Sequence, residues 1–581
     1  MTQRTVIKNG RVVDGFGVQS PARIADIAFV DGVITEVGFV ETTSTDRVID
    51  ATGLLVTPGW VDIHTHYDAQ VSWDPYLTPS SWHGVTTAVM GNCGVGFAPV
   101  HPEDREILIE LMEGVEDIPG SAMAEGITWD WDTFPAYMDS LDRMPRVMDV
   151  GAQIAHGPLR AYVMRQRGVD NEEATLDDVA QMAAIVEQAM RSGALGFSTS
   201  RTPIHRSKSG ELVPGTHAGT DELFAIGDAM SRAGHGLLQF APEHVNLLTN
   251  EWGWMREFAR RTNRPVFVNL NQSDAAPDLW REVLANLEAA NADGLKIYAA
   301  VAGRAIGVLM CLEGSLHPLQ FHPAYAEIAE LPLQQRVAAL NDPERRRRII
   351  EEEPPGFAEM MMGVYLKSYL VNGSDINYEP DPQDNVQSLA ERSHVKPIQI
   401  VLDHMCSDGG NAMLYMPFFG YNYGDLSFPE AAQHHPHTRM GLADAGAHVG
   451  AICDGGMPTF MLTHWVRDRV RGAKLPIEHV VHRQTRQTAE TYGLMDRGAL
   501  APTLRADINI IDLENLGFTV PYIAFDLPTD AKRLIQKARG YKATFVNGVQ
   551  TVAEDTFTGE FPGRLIRGPK KSARLLQPEL P

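Results

Sequence analysis

Short apolar runs separated by polar turns open the chain. Thr5-Val-Ile-Lys, Gly10-Arg-Val-Val-Asp, Ile24-Ala-Asp-Ile-Ala-Phe-Val-Asp-Gly-Val-Ile and Arg47-Val-Ile-Asp have the length and alternation of antiparallel strands. The same texture returns near the other end. Ala506-Asp-Ile-Asn-Ile-Ile-Asp-Leu is followed by Ala543-Thr-Phe-Val-Asn-Gly-Val-Gln-Thr-Val, where Asn547-Gly548 marks a tight hairpin. Two β-rich ends around a long middle predict one small β-sandwich domain built from residues 1–57 plus 500–581.

The middle, residues 58–499, has a different rhythm. Eight apolar strand-like runs alternate with helical stretches. The first is Val56-Thr-Pro-Gly-Trp-Val-Asp-Ile-His-Thr-His66. The others are Gly84–Gly91, Val147–Gly157, Ala194–Thr199, Gly236–Phe240, Pro265–Leu270, Leu295–Tyr298 and Met440–Asp444. Leu176 to Arg191 and Leu279 to Ala290 show i, i+3, i+4 apolar spacing and are predicted helices. Alternating strands and helices imply a parallel sheet, and eight of them an α/β (β/α)₈ TIM-like barrel. Residues about 313–400 break the pattern. They are charged, helical and punctuated by proline, and are read as a helical insertion on the barrel. Its Arg345–Arg348 run, followed by Glu351–Glu353, reads as a solvated helix with its own acidic neighbours.

Chemistry enters at the strand ends, where such barrels place their active sites. His64 and His66 are two apart on a strand and so share a face, which makes half a metal site. Met440-Gly-Leu-Ala-Asp444-Ala-Gly-Ala-His448 is an apolar strand ending in a carboxylate. On a closed barrel this last strand adjoins the first, which brings Asp444 beside the histidines. Cys93, in Gly91-Asn-Cys-Gly94, follows the second strand and offers a soft ligand. His156 ends the third strand, and ligation, substrate contact and packing are all open to it. Arg201, after the fourth strand, offers a bidentate partner for a substrate carboxylate. Asn271 and His448 are further candidates for substrate binding. His217 lies in a loop after the fourth strand, and His434, His435 and His437 crowd before the last one.

Composition narrows the function classes. The chain has 581 residues, 44% of them apolar and 21% charged, with a net charge of −24. That balance argues against nucleic acid or an anionic membrane as partner. The N-terminus has no apolar signal region and no stretch approaches a membrane span, so a cytoplasmic location is expected. Four scattered cysteines do not make a disulfide framework.

Three stretches together resemble the amidohydrolase superfamily, and within it the D-aminoacylase (N-acyl-D-amino-acid deacylase) branch. They are Pro58-Gly-Trp-Val-Asp-Ile-His-Thr-His66, Gly84-Val-Thr-Thr-Ala-Val-Met-Gly-Asn-Cys-Gly94 and the strand-end Asp444. Val115-Glu-Asp-Ile-Pro, His156-Gly-Pro-Leu-Arg, Gly193-Ala-Leu-Gly-Phe-Ser-Thr and Thr558-Gly-Glu-Phe-Pro-Gly-Arg support it. The resemblance implies metal-dependent hydrolysis of amide-type bonds, such as those of N-acyl amino acids. It implies His64, His66 and Cys93 as metal ligands, and Asp444 as a ligand and the catalytic acid–base group working on metal-activated water. The chain also departs from the branch. Two histidine ligands usual after middle strands are absent, and the corresponding stretches read Val268-Asn-Leu-Asn-Gln272 and Leu295-Lys-Ile-Tyr. Zinc is therefore expected, as one or two divalent ions with one favoured, acting on a small-molecule amide in a homo-oligomer. The rival expectations are a cyclic-amide or aryl-amide hydrolase of the same superfamily, and a metal-free oligomeric scaffold.

Overall fold

The computed structural model describes residues 3–352, 364–372, 376–441 and 443–570. Eight parallel strands close a barrel. They are β1 (Trp60–Asp62), β2 (Val85–Met90), β3 (Asp149–Ala152, continued as Ile154–Ala155), β4 (Gly196–Ser200), β5 (Leu237–Ala241), β6 (Val266–Asn269), β7 (Ile297–Val301) and β8 (Thr438–Met440). Each pairs in parallel with the next. A parallel bridge between Thr65 and Ala445 joins the last strand's loop to the first. Almost every strand residue is buried, which is why these strands read as continuous apolar runs rather than as alternating ones.

Helices link the strands on the outside. Leu176–Ser192 is fixed at its start by a capping box between Thr175 and Asp178, and at its end by Gly193 at φ 115°. Leu279–Ala292 buries Trp280, Val283, Leu284 and Leu287 on one face.

The chain ends form a nine-stranded sheet that includes Thr5–Val12, Arg23–Val30, Leu55–Pro58, Ile508–Ile511 and Tyr541–Val546. Phe29 lies towards one end of its strand order and Phe545 towards the other. Their rings meet edge to face at 5.4 Å, so the sheet folds over on itself as a sandwich around Ile7, Ile27, Val56, Ile508 and Ile510. Asn547 and Gly548 both take positive φ, as their hairpin requires. Buried Asp149 at the start of β3 binds Arg497 and Arg505, at 2.7 and 2.9 Å.

Between β7 and β8 the chain makes a long excursion. It contains helices Leu333–Leu340, Pro343–Glu351, Val386–Ser393 and Pro397–Met405, and also an antiparallel sheet of Ile306–Met310, Leu414–Phe419 and Tyr369–Leu370. This unit has its own core around Leu319, Tyr325, Leu340, Val401 and Leu402. Residues 353–363 and 373–375 of the insertion lie outside the described residues. The arginine run is neutralised locally. Arg345 and Arg348 pair with Glu327, Arg346 with Asp403, and Arg347 with Glu344 and Glu351. Among the described residues no helix is long and apolar enough to cross a membrane.

Candidate metal centre and active site

β1 leads directly into His64 and His66, and the backbone there is fixed before either ring begins. The His64 N–H donates to Asp62 Oδ1 at 3.2 Å, and the His66 N–H to the carbonyl of Ala445 at 2.8 Å. β2 runs into Asn92 and Cys93. Asn92 Nδ2 donates to the carbonyls of Thr65 and Val89, tying the second loop to the first. Cys93 sits at φ 55°, and its N–H donates to Gln239 Oε1 at 2.8 Å. In the β8 loop Asp444 and His448 also take left-handed backbones, at φ 46° and 48°. Such strained positions gather at functional sites. Between them a Cβ on Gly446 would stand 2.8 Å from the carbonyl of His66, so glycine is what lets this loop lie against the β1 histidines.

Four side chains from three strand ends thus converge. His64 Nε2 is 3.3 Å from Cys93 Sγ and 3.2 Å from Asp444 Oδ1, and His66 Nε2 is 3.7 Å from the same oxygen. The donor atoms of His64, His66 and Cys93 all lie within 4.8 Å of one another. Ligands at zinc distances are separated by roughly 3.3–3.8 Å along the edges of a tetrahedron. Three of these separations fall within about 0.1 Å of that range.

The electrostatics fit the same reading. Burial pushes Asp444 up to about 8, aided by Asp454 and Asp62. Burial, with Asp444 and Glu116 nearby, pushes the Cys93 thiol well up. Burial holds His64 down at about 3 and His66 well below its usual value. Every group in the cluster is thereby driven towards its uncharged form, as expected of acids and thiols buried together without a counter-charge. A divalent cation is the counter-charge this donor set lacks, so the residues fit a metal.

Glu116, at the end of helix Arg105–Glu116, completes the cluster and was not singled out as a site residue from sequence. Its Oε1 lies 3.2 Å from His66 Nδ1, and its Oε2 lies 3.6 Å from His448 Nε2. The only sequence signal for it is its place in Val115-Glu-Asp-Ile-Pro. His205 and His244, from the loops after β4 and β5, also face the site and were likewise missed. Burial lowers them to about 3 and 4, so their rings are neutral.

These groups line a cavity of about 160 Å³ at the C-terminal end of the barrel. His66, Cys93, Glu116, Asn269, Asp444 and His448 lie on its wall, with Asn271 among them. Asn269 and Gln239 occupy the middle-strand positions nearest Cys93. Gln239 Nε2 donates to Asn269 Oδ1 at 3.0 Å, and Asn269 Nδ2 points to Cys93 Sγ at 3.6 Å.

Two sequence candidates lie elsewhere. His156 is buried behind the wall, where its ring nitrogens contact Thr199 Oγ1 at 2.8 Å and Glu222 Oε1 at 2.6 Å. Arg201 does not line the cavity. Its Nη1 donates to the carbonyl of Ala218 at 2.6 Å, and its Nε faces Glu251 at 3.3 Å. Both sit at strand ends, but their side chains turn into the barrel's outer packing, which strand position alone does not reveal. His217 is exposed, and His434, His435 and His437 precede β8 at the opposite end of the barrel.

Glu222 also binds buried Arg160, at 2.5 Å. Burial opposes its ionisation, but His156 and Arg160 outweigh that and hold its pKa at about 2, against 4.5 for a free glutamic acid. The stabilisation is therefore present above about pH 4.5 and is lost as the pH falls towards 2. Glu222→Gln strands a buried guanidinium and should cost about 3 kcal/mol at neutral pH. Urea unfolding checks this, and the two proteins should converge in stability as the pH falls through that window.

The sequence matches the amidohydrolase family over residues 47–552, and the chain belongs to that family. It is similar to D-aminoacylase of Alcaligenes xylosoxydans xylosoxydans, at 26% identity over 97% of each chain. N-acyl-D-aspartate deacylase of the same organism is 24% identical over 97% of this chain and 94% of its own. A solved D-aminoacylase, described as having a binuclear metal center, superposes with a TM-score of 0.64 at 22% identity, covering 97% of this chain and 99% of its own. N-acyl-D-glutamate deacylase from Bordetella bronchiseptica, solved with zinc and a phosphonate inhibitor, gives 0.62 at 20% identity, covering 98% and 100%. At these identities the solved structures establish the shared barrel fold.

Proposed function

We propose that this chain hydrolyses a carbon–nitrogen amide bond in a small molecule. One divalent ion, zinc by its donor chemistry, would be held by His64, His66 and Cys93, with Asp444 as the acid–base group. The observation that carries this reading is the convergence of these four side chains, from β1, β2 and the β8 loop, with His66, Cys93 and Asp444 on the wall of one cavity and His64 directly behind them. The deacylase activity named for the relatives supports the bond type.

A bound ion would polarise the substrate carbonyl and make water more acidic there. The protein's own groups do the rest. Asp444 faces both the donor cluster and the cavity, so it is placed to take a proton from the attacking water as the new C–O bond forms. It then returns that proton to the leaving nitrogen as the C–N bond breaks, and a carboxylic acid and an amine depart. Glu116 Oε1 stands 3.2 Å from His66 Nδ1, where it would favour the tautomer whose Nε2 faces the cluster. Asn271 and His448 supply neutral polar contacts for the amide.

A single ion suits the middle strands. Gln239 and Asn269 are neutral amides already engaged with each other and with Cys93, and amides are poor zinc ligands. The reading is tested by assaying amine release from a simple amide before and after chelation. Activity should vanish on stripping the metal and return with zinc, cobalt or manganese.

A further inference from the structure

Beyond the donor cluster the cavity wall carries the neutral polar groups of Thr202, His205, His244 and Asn271 and a larger set of apolar side chains. Ile306 and the Phe418-Phe419 pair come from the sheet of the insertion, Ile204 from the β4 loop, Val115 from the helix before Glu116, and Ile452 from the β8 loop. Phe418 and Phe419 pack edge to face at 4.4 Å, and Phe419 lies 5.7 Å from the His244 ring. Phe418 is 45% exposed and Ile204 58%, so large apolar surface stands open at the mouth. The volume is close to that which admits a single benzene ring.

No lysine or arginine is among the described residues of this wall. Arg201 is held by Glu251, whose other contact is Trp254 Nε1 at 2.5 Å. Lys367 lies in a neighbouring groove that Phe418 also lines, and it is ion-paired there with Asp274. The acidic side chains that do reach the cavity, Glu116 and Asp444, are pushed towards their uncharged forms by burial. A substrate carboxylate entering here would lose water and meet no guanidinium or ammonium group among the described lining residues. An aryl or alkyl group would cover the exposed phenylalanine and isoleucine surface.

We infer that the substrate is an uncharged amide bearing an aromatic or aliphatic group, and not an N-acyl amino acid with a free carboxylate. The inference rests on the amide-hydrolase reading above. Water adds to the acyl carbon, the C–N bond breaks, and the leaving amine gains the proton.

A matched pair tests it on the metal-loaded full chain. N-acetyl-phenethylamine and both enantiomers of N-acetyl-phenylalanine differ only in the carboxylate. The neutral amide should show at least about tenfold higher kcat/KM, since the acid must leave its charge unpaired. Phe418→Arg should raise kcat/KM for the acid by about tenfold relative to the amide, and that gain should shrink with added salt. Equal or better turnover of either acid by the unaltered chain overturns this inference and leaves amide hydrolysis standing. Turnover of none of the three by metal-loaded protein overturns both.

Discussion

Asp444→Asn should lower kcat for amide hydrolysis by about 10²- to 10⁴-fold, the range expected when a positioned proton carrier is removed. The substitution is close to isosteric and suits its position. Asparagine tolerates the left-handed backbone almost as aspartate does, and position 444 sits at φ 46°. It also relieves a half-buried carboxylate whose ionisation Asp454 and Asp62 oppose. Thermal stability should therefore hold or rise. His64, His66 and Cys93 remain in place, so most of the metal should stay bound. Inactive, folded and metal-loaded is the combination that separates a proton carrier from a structural residue. Steady-state kinetics, a melting curve and metal analysis on one preparation check it, and retained activity would remove Asp444 from the mechanism.

Cys93→Ala should remove metal and activity together. The thiol is one of three donors within 4.8 Å of one another, and without it the two histidines are left with Asp444, whose oxygen is also needed for proton transfer. The loss of affinity should exceed the roughly 10- to 100-fold that outer partners of a metal ligand typically cost. Cys93→Asp makes the sharper comparison. Aspartate accepts the left-handed backbone at φ 55° and returns an anionic donor, but a hard one. This variant should keep part of its metal and shift its preference from zinc towards manganese. Competitive titration of the two ions reads the shift. Unchanged zinc binding in Cys93→Ala would place the metal elsewhere.

The barrel was legible because each strand is buried on both faces and so appears as an unbroken apolar run between helices. The sandwich was legible from alternation and from Asn547-Gly548. The candidate site was legible only in part, and the division follows chain geometry. His64, His66, Cys93 and Asp444 continue strands or the turns directly after them, so strand order alone predicts that they meet, and the structure brings them together. Glu116, His205 and His244 come from a helix end and from loops, whose positions depend on packing that no local pattern records. His156 and Arg201 show the converse error. They too stand at strand ends, but Glu222 and Glu251 draw their side chains away from the cavity. The insertion was read as helical because charged helices dominate its composition. The strands that carry Ile306 and Phe418 to the cavity flank residues 313–400 and pair antiparallel with each other across them, a long-range pairing that no local pattern announces.

Metal titration of the stripped chain, with amide hydrolysis followed at each addition, tests the central claim most directly. Activity should climb in proportion to added zinc and level off at about one ion per chain, as three donors and neutral middle strands require. Protein that binds no zinc, cobalt or manganese, and stays inactive when each is supplied, would contradict the account and leave a barrel that keeps the geometry of an active site without its chemistry.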